Sequence, residues 1–233
     1  MKKLLALVLL SVSVDISAGP VLSEGFDDIS TLFTPGGWVQ KNNTASLSPT
    51  LPEWFQGNSG IFQSQAGALD AYIANNFLSA DLGPNISHWL FSPVLTLGNN
   101  DTIEFYTRTT TDSLFADRLE LRLSTNGAST DVGATDTSVG DFTTMLLTIN
   151  PALDPGGYPD DWTLFSVTLS GLGGPFSGRF AFRYSVPDAS TNADYIGIDT
   201  VLVTSVVPEP PVLALGAFGL ALLGFARRRG LRA

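Results

Sequence analysis

Short segments in which apolar and polar residues alternate recur through most of this 233-residue chain. In the segment 118–124, Leu119 and Leu121 share one phase and charged residues occupy the other. The same two-residue period recurs in 102–109, 163–169 and 179–186. Successive side chains of a strand point to opposite faces, so this period predicts strands that are buried on one face. Helical periodicity is almost absent between the two ends of the chain, and we therefore predict an all-β fold.

Arginine and glutamate side chains share the polar phase of these predicted strands. Glu104 and Glu120 are interleaved with the arginines, among them Arg108 and Arg122. If the strands are neighbours, these residues form one face of a sheet. That face is either solvated, with ion pairs worth at most about 1 kcal/mol each, or concave, with arginines and Tyr106 binding a sugar acid or polysaccharide. Both interpretations stay open at this point.

The charge balance of the central part of the chain limits its partners. Residues 19–207 contain six basic and twenty acidic residues, a formal net charge of −14. Phosphate binding needs a basic surface, so we expect no nucleic-acid partner. The same charge disfavours anionic membranes and favours calcium or a neutral glycan. The chain has no cysteine, which excludes disulfides, a thiol nucleophile and a thiolate metal site.

A long acidic stretch lies in the middle of the chain. Residues 125–161 contain six aspartates and no basic residue. Within this stretch, 142–149 is a predicted short strand, and the remainder is loop. Long loops are often functional or mobile, whereas a run of acidic residues more often keeps a surface solvated. We therefore expect a solvated loop here.

The N-terminal residues have the pattern of a secretory signal peptide. Lys2 and Lys3 precede the apolar run 4–10, and small residues follow around Ala18. This order of basic, apolar and small residues is typical of a signal that is removed on export. We predict a helical signal peptide over residues 1–18, followed by one domain over residues 19–207.

The C-terminal segment 208–233 has three parts. They are the turn-forming residues Pro208, Glu209 and Pro210, the apolar run 212–226, and the basic residues Arg227, Arg228 and Arg229. Fifteen apolar residues form a helix of about 22 Å, shorter than the ~30 Å hydrocarbon core of a bilayer. We predict a short transmembrane helix with its arginines in the cytoplasm and the body of the chain on the other side.

This tail resembles the PEP-CTERM sorting signal of Gram-negative bacteria that produce exopolysaccharide. The resemblance implies that an exosortase cleaves the chain at or near the Pro-Glu-Pro motif. It also implies a transient intermediate in the inner membrane, followed by release to the cell surface or the extracellular space. The alternative is an ordinary tail anchor that is never cleaved.

Several short motifs of the body occur in a fixed order. They are 24–28 with Gly37 and Trp38, then 54–57, 89–93, 118–124 and 195–199. In this order they resemble the choice-of-anchor J domain, which is related to the cleaved adhesin domains of secreted bacterial proteases and to MAM-like jelly rolls. The resemblance covers most of residues 22–204. It implies a two-sheet antiparallel β-sandwich of the jelly-roll type with an adhesive or binding role.

Related adhesin jelly rolls hold a structural calcium ion between the first and last strands. By position, the resemblance implies Glu24, Asp27 and Asp199 as its ligands. Calcium binds six to eight oxygen atoms, and an ion at this position would tie the chain ends together. Thr200 stands where the pattern has a second aspartate, while Asp70 is a further oxygen donor without a motif. The alternative is that these acidic residues only form turns and helix caps.

The sequence offers little for catalysis. His88 is the only histidine, and no nucleophile elbow, zinc helix or phosphate loop is present. Glu104 and Glu120 would form a glycosidase pair only if their strands adjoined, and nearby arginines would keep both ionised. We therefore predict that the protein is not an enzyme.

The expected function is adhesion. Trp38, Trp54 and Trp162 lie near turns, where an exposed indole could stack on a sugar ring, although large aromatic residues usually fill a core. We predict an exported adhesin-type protein of the cell surface or the biofilm matrix, with exosortase, polysaccharide or surface proteins as partners. A carbohydrate-binding module is the alternative, with Trp54, Tyr106, Arg108 and Arg122 as candidate contacts, and a glycosidase is a distant third.

Overall fold

A computed structural model describes residues 16–44, 53–80 and 85–208 of the chain. The chain divides into two units, residues 20–205 and residues 1–19 with 206–233. Most of the predicted signal peptide lies outside the described residues, and its last part, 16–18, belongs to a strand. The sorting residues Glu209, Pro210 and Arg227–Arg229 also lie outside them, while Pro208 ends the last strand. None of the helices in the described ranges has the length and apolar character needed to cross a membrane.

Twelve strands are present in the described residues. They are β1 (Ile16–Glu24), β2 (Val39–Asn42), β3 (Phe55–Gln56), β4 (Ile73–Asn76), β5 (Ile86–Phe91), β6 (Leu95–Leu97), β7 (Thr102–Thr109), β8 (Leu119–Ser124), β9 (Thr144–Ile149), β10 (Thr163–Thr168), β11 (Phe176–Val186) and β12 (Tyr195–Pro208). The helical elements are a single turn, α1 (Ile29–Leu32), which Asp28 caps, and a 3₁₀ turn at Phe77–Ala80. The alternating segments of the sequence are all strands, and the all-β prediction is confirmed.

The strands form two antiparallel sheets that pack as a sandwich. The first sheet has the order β10-β7-β12-β4-β3, with β1 paired to β12. The second has the order β2-β5-β11-β8-β9, with β6 paired to β11. Burial alternates along all eight residues of β7. Across the two sheets, the rings of Phe105 and Phe182 meet edge to face at 4.8 Å, so the apolar phases of the strands form the main core.

The outer face of the second sheet is covered by the connection between β8 and β9. In this covering segment (residues 125–143), Val132 and Phe142 are fully buried against Trp89 and Phe91 of β5. The ring of Phe142 lies 5.0 Å from that of Phe91 and 5.7 Å from that of Trp89. A second, smaller core therefore lies outside the sandwich. The acidic residues of this segment are exposed or half-buried, as expected of a solvated loop, but Val132 and Phe142 pack the loop onto the sheet, which the sequence did not predict.

The same cover changes the interpretation of the arginine and glutamate residues. Glu120 is only 6% exposed and Arg183 only 5%. Glu120 Oε2 lies 2.7 Å from Arg122 Nε and 3.2 Å from Arg183 Nη1, and the Arg183 guanidinium lies 5.1 Å from the Trp89 ring centroid. These residues form a buried ionic network, so the solvated alternative does not hold for this sheet.

Charged residues of β7 are not part of this network. The strand β7 belongs to the first sheet, whereas Glu120 lies on β8 of the second. Because the two glutamates occupy the outward phases of different sheets, Glu104 and Glu120 lie on opposite outer faces of the sandwich. They cannot form the carboxylate pair of a glycosidase, which needs a separation of about 5–9 Å. The strands β7 and β8 are not neighbours, so the condition for a shared face of arginine and glutamate residues is not met for them.

Replacing Glu120 tests the buried network. We expect Glu120→Gln to lower the free energy of unfolding by about 3–5 kcal/mol, because two buried guanidinium groups lose their carboxylate partner. The measurement is urea-induced unfolding. The matched control is Asp161→Asn, which removes an ion pair with Arg108 whose carboxylate is 87% exposed and should cost no more than about 1 kcal/mol. Equal losses in the two variants would show that the covering segment does not bury the network.

Candidate functional site

A cleft of about 450 Å³ opens at one end of the sandwich. One wall is 109–117, where the chain leaves β7 and crosses to β8, and the other is 154–160, between β9 and β10. Leu114 and Phe115 project at this cleft with 81% and 50% of their surface exposed. The volume falls in the range of about 300–1,000 Å³ that is usual for ligand sites.

Acidic side chains line the cleft beside these apolar groups. Asp112, Asp154 and Asp160 are all exposed there. Carboxylate oxygens accept hydrogen bonds and offer none when ionised. The cleft can therefore bind hydroxyl-rich or cationic groups through its carboxylates while an apolar surface packs on Phe115.

Asp117 holds the two walls of the cleft in place. Its side chain is fully buried and accepts hydrogen bonds from the Tyr184 hydroxyl (2.6 Å), the Asp194 amide (2.9 Å) and the Thr109 hydroxyl (2.6 Å). Its backbone carbonyl accepts a bond from the Asn150 amide group (3.0 Å), which also binds the Asp154 carbonyl. Burial raises the pKa of Asp117 to about 6, because the charged form loses its hydration, although these donors oppose the shift.

Sequence reasoning missed Asp117 and the cleft. The local signal is one aspartate before a predicted strand, which does not distinguish a buried hub from a surface charge. Its partners Tyr184 and Asp194 are 67 and 77 residues away, so only the fold reveals them. The exposed pair Leu114 and Phe115 was a visible signal, since two large apolar residues stand there in a polar connection.

The four residues predicted to contact a glycan lie in different places. Trp54 is 3% exposed and belongs to the main core, so its indole has no free face. Trp38 is buried there as well. Arg122 lies in the buried network under the covering segment, where its Nη1 donates to the Phe142 carbonyl. Tyr106 and Arg108 are both in the outward phase of β7. They are therefore the two predicted glycan contacts that lie on the same face of the same strand.

Arg108 is engaged within the protein. Its Nη1 lies 3.2 Å from Asp161 Oδ1, and its Nη2 donates to the Thr111 hydroxyl and to the Asp160 carbonyl. Its guanidinium lies 4.6 Å from the centroid of the Phe62 ring. These contacts hold the 154–160 wall of the cleft against β7, so Arg108 supports the cleft from outside.

Two of the three predicted calcium ligands share a pocket. Glu24 and Asp27 line a cavity of about 170 Å³ together with Gly67 and Thr200. Gly67 has φ +81°, and a Cβ atom there would lie 2.7 Å from Asp27 Oδ1, so the backbone approaches the carboxylate closely. One oxygen of Glu24 already accepts a bond from the Phe26 amide (2.8 Å). Asp70 does not line the cavity.

Both carboxylate oxygens of Asp199 accept hydrogen bonds from the backbone. Its Oδ2 accepts from the amides of Gln65 (2.8 Å) and Ala66 (3.1 Å), and its Oδ1 accepts from the amide of Thr200 (2.5 Å). Burial raises the pKa of Asp199, and these bonds oppose the shift. Within the described ranges, no three acidic or histidine side chains are arranged to hold a metal ion. The residues present therefore supply only part of a calcium site.

His88 has a structural role. It is 1% exposed, and its Nδ1 lies 3.1 Å from the Asn75 side-chain nitrogen. Burial lowers the pKa of His88 to about 3, so the ring is neutral at physiological pH. This neutral, buried imidazole does not line the cleft.

Comparison with known proteins establishes the fold. No protein-family model matches the sequence, and no curated protein matches it either. The chain is similar in structure to the K2 cleaved adhesin domain of Lys-gingipain, with a TM-score of 0.52 and 17% identity over 81% of this chain and 100% of that domain. It is also similar to the K3 cleaved adhesin domain of Lys-gingipain from Porphyromonas gingivalis, with a TM-score of 0.50 and 19% identity over 81% and 99%. At these identities the likeness shows a shared β-sandwich.

The pKa of Asp117 predicts how stability depends on pH. An aspartate in an unfolded chain has a pKa of about 3.9, so the folded state binds this proton more tightly. Protonation of Asp117 therefore stabilises the folded state. Its contribution to the free energy of unfolding is present in full below about pH 4 and is lost as the pH rises through about 6. The two values differ by about two pH units, equivalent to roughly 3 kcal/mol.

Unfolding in urea at several pH values checks this dependence. We expect the unfolding free energy of the protein to fall between pH 4 and 7 by about 2–3 kcal/mol more than that of Asp117→Asn, which cannot titrate at this position. Other carboxylates contribute equally to both proteins, so the difference isolates Asp117. Parallel pH profiles would contradict the raised pKa.

Proposed function

We propose that this chain is an exported, non-enzymatic adhesin-type protein that binds its target at the cleft between 109–117 and 154–160. The observation that carries the proposal is the exposure of Leu114 and Phe115 at the mouth of a cleft of about 450 Å³. Burying such side chains against a partner gives about 1.5–3 kcal/mol each. Apolar groups that meet in a pocket surrounded by polar ones are the usual anchors of protein binding sites.

Three further observations support this proposal. The sandwich resembles domains that are named as cleaved adhesins. The sequence pattern of residues 1–18 and the tail with Pro208, Glu209 and Pro210 support export and processing by an exosortase. The separation of Glu104 and Glu120 on opposite faces removes the glycosidase pair that the sequence suggested.

A carbohydrate-binding module is the second candidate. It is favoured by the position of Asp112, Asp154 and Asp160 in the same cleft as Phe115. A sugar ring can stack on an aromatic face while its hydroxyl groups donate to neighbouring carboxylates. If the protein is a carbohydrate-binding module, the target that it binds is a glycan of the cell surface or of an exopolysaccharide matrix.

An adhesion assay tests the cleft. Beads coated with the full-length protein are applied to bacterial cells and to films of purified polysaccharides. We expect Leu114→Ser/Phe115→Ser to reduce bead retention about tenfold or more, because the double variant removes both apolar anchors. The control is Leu78→Ser, which removes an apolar side chain of similar exposure (55%) on the 3₁₀ turn and should retain adhesion.

The result separates the two candidates. Periodate treatment of the target surface destroys glycans, and its effect decides between a glycan and a protein target. Absence of adhesion by the folded protein, or equal adhesion by the double variant, would overturn the proposed role of the cleft.

Calcium at Glu24 and Asp27 is a further part of the proposal. Two carboxylates with neutral oxygens supply few charged ligands. We therefore expect a weak affinity for calcium, with a dissociation constant of about 0.1–1 mM as in extracellular modules. At 10 mM calcium, a dissociation constant of about 1 mM stabilises the fold by roughly 1.4 kcal/mol. We expect the melting midpoint to rise by a few degrees with 10 mM calcium over chelator.

A double variant provides the control for this measurement. Glu24→Gln/Asp27→Asn should melt at the same temperature with and without calcium. A calcium-independent midpoint of the unmodified protein would contradict a metal at this pocket. Asp199 would then stabilise the 65–66 backbone by its hydrogen bonds alone.

A further inference from the structure

A second cavity, of about 200 Å³, lies at the edge of the covering segment, and two arginines line it. Arg118, directly before β8, and Arg183, on β11, line this cavity together with Asp136 of the covering segment. Two cationic groups at one opening are unusual in a domain with a formal charge of −14. We refer to this cavity as the Arg118 pocket.

The two arginines differ in how many of their guanidinium nitrogens have a hydrogen-bond acceptor. Arg183 donates to the Ser87 hydroxyl (3.1 Å), to Glu120 (3.2 Å) and to the Asp136 carbonyl, so each of its nitrogens has an acceptor. Arg118 donates from Nε to the Ser185 carbonyl (2.8 Å) and from Nη2 to the Ser185 hydroxyl (3.2 Å). These contacts fix the guanidinium in place.

Arg118 keeps unused donors. In the described part of the chain, no carboxylate lies within ion-pair distance of it, and its Nη1 has no acceptor. Glu120, the nearest source of negative charge on β8, is already shared between Arg122 and Arg183. Burial lowers the pKa of Arg118, which reflects the cost of removing its charge from water, and Glu120 only partly opposes this. An anion in the pocket would compensate that cost.

Uncharged polar groups complete the lining. They are the side chains of Asn85, Thr137 and Ser185. The cavity has roughly the volume of six water molecules, which is sufficient for a small charged group together with adjoining polar atoms. A carboxylate can accept two parallel bonds from a guanidinium, and hydroxyl groups beside it can pair with the amide and hydroxyl side chains.

We propose that the Arg118 pocket binds the carboxylate of an acidic sugar in a polysaccharide, with the free edge of the Arg118 guanidinium as its main contact. A sulfate ester is tetrahedral at sulfur, but it carries the same single negative charge and can present two of its terminal oxygens to a guanidinium. The inference rests on the proposed adhesive function and narrows its target to anionic polysaccharides. At about 0.15 M salt, charges beyond about 8 Å are screened, so the local cation outweighs the acidic remainder of the domain.

Binding of oligogalacturonate to the full-length protein tests this proposal. The measurement is calorimetry in the presence of chelator, so that calcium cannot bridge carboxylates. We expect the acid form to bind and its methyl ester, which lacks the charge, to bind at least tenfold more weakly. Arg118→Gln should weaken binding of the acid form about tenfold or more, as loss of a charged, two-point hydrogen bond requires.

Two further variants keep the test decisive. Asp136→Asn removes a negative charge from the pocket while retaining an acceptor for the Asn85 amide, and should tighten binding about threefold. Lys41→Gln, on the edge strand β2, removes the same charge as Arg118→Gln at a residue that does not line the cavity, and should change the affinity less than twofold. If Arg118→Gln does not fold, the response of Asp136→Asn decides.

The outcomes distinguish a carboxylate from a sulfate ester as the bound anion. They also distinguish the proposed role of the cleft from that of the Arg118 pocket. Binding of dextran sulfate in place of oligogalacturonate, with loss in Arg118→Gln, would assign the pocket to sulfate esters and support its anionic chemistry. Equal binding of acid and ester, or an unchanged affinity in Arg118→Gln, would overturn the proposal. Leu114→Ser/Phe115→Ser should retain oligogalacturonate binding, so failure of the cleft and failure of the Arg118 pocket are observed separately.

Discussion

Burial of the second sheet on both of its faces is the constraint on which the rest of the structure depends. The main core covers one face, and Val132 and Phe142 of the covering segment close the other. Charged residues in the outward phase of this sheet therefore leave water, which is costly unless each is paired. Glu120 meets that requirement for two arginines at once. Arg118, at the edge of the cover, is left with unused donors.

Because of this constraint, exposed binding groups lie at the edges and ends of the sandwich and not on the outer face of the second sheet. The outer face of this sheet is covered, so it is not the open, polysaccharide-binding arginine face that was one of the two alternatives from the sequence. The open sites are the cleft with Phe115, which connections form, and the Arg118 pocket, where the edge of the covering segment meets β5 and β11. Connections can carry binding groups because a rigid scaffold positions them. Here Asp117 provides that rigidity, since its buried carboxylate joins β7, β11 and the start of β12.

The sequence predicted what depends on local periodicity. The alternation in 102–109 gave β7 with its bounds, and the leucines of β8 correctly indicated the core face. Strand partners depend on long-range register, which no local pattern encodes, so the sequence left open whether Glu104 and Glu120 lie on one face. The cover was not predicted because Val132 and Phe142 are far apart in a mostly polar, acidic segment, which shows no regular apolar period between them. A signal did exist in β5, where Trp89 and Phe91 in one phase and Ile86 and Leu90 in the other indicate burial on both faces.

Hydrogen exchange along the covering segment tests this account most directly. The amides of Asp141 and Phe142 bond to the carbonyls of Asp131 and Val139 at 2.9 Å, and Phe142 is fully buried. If the segment is an integral layer, the amides of Asp141 and Phe142 should exchange about as slowly as those of β5, through global unfolding. Exchange of these two amides within seconds, with β5 still protected, would show that the segment is a mobile loop and would contradict a second sheet buried on both faces.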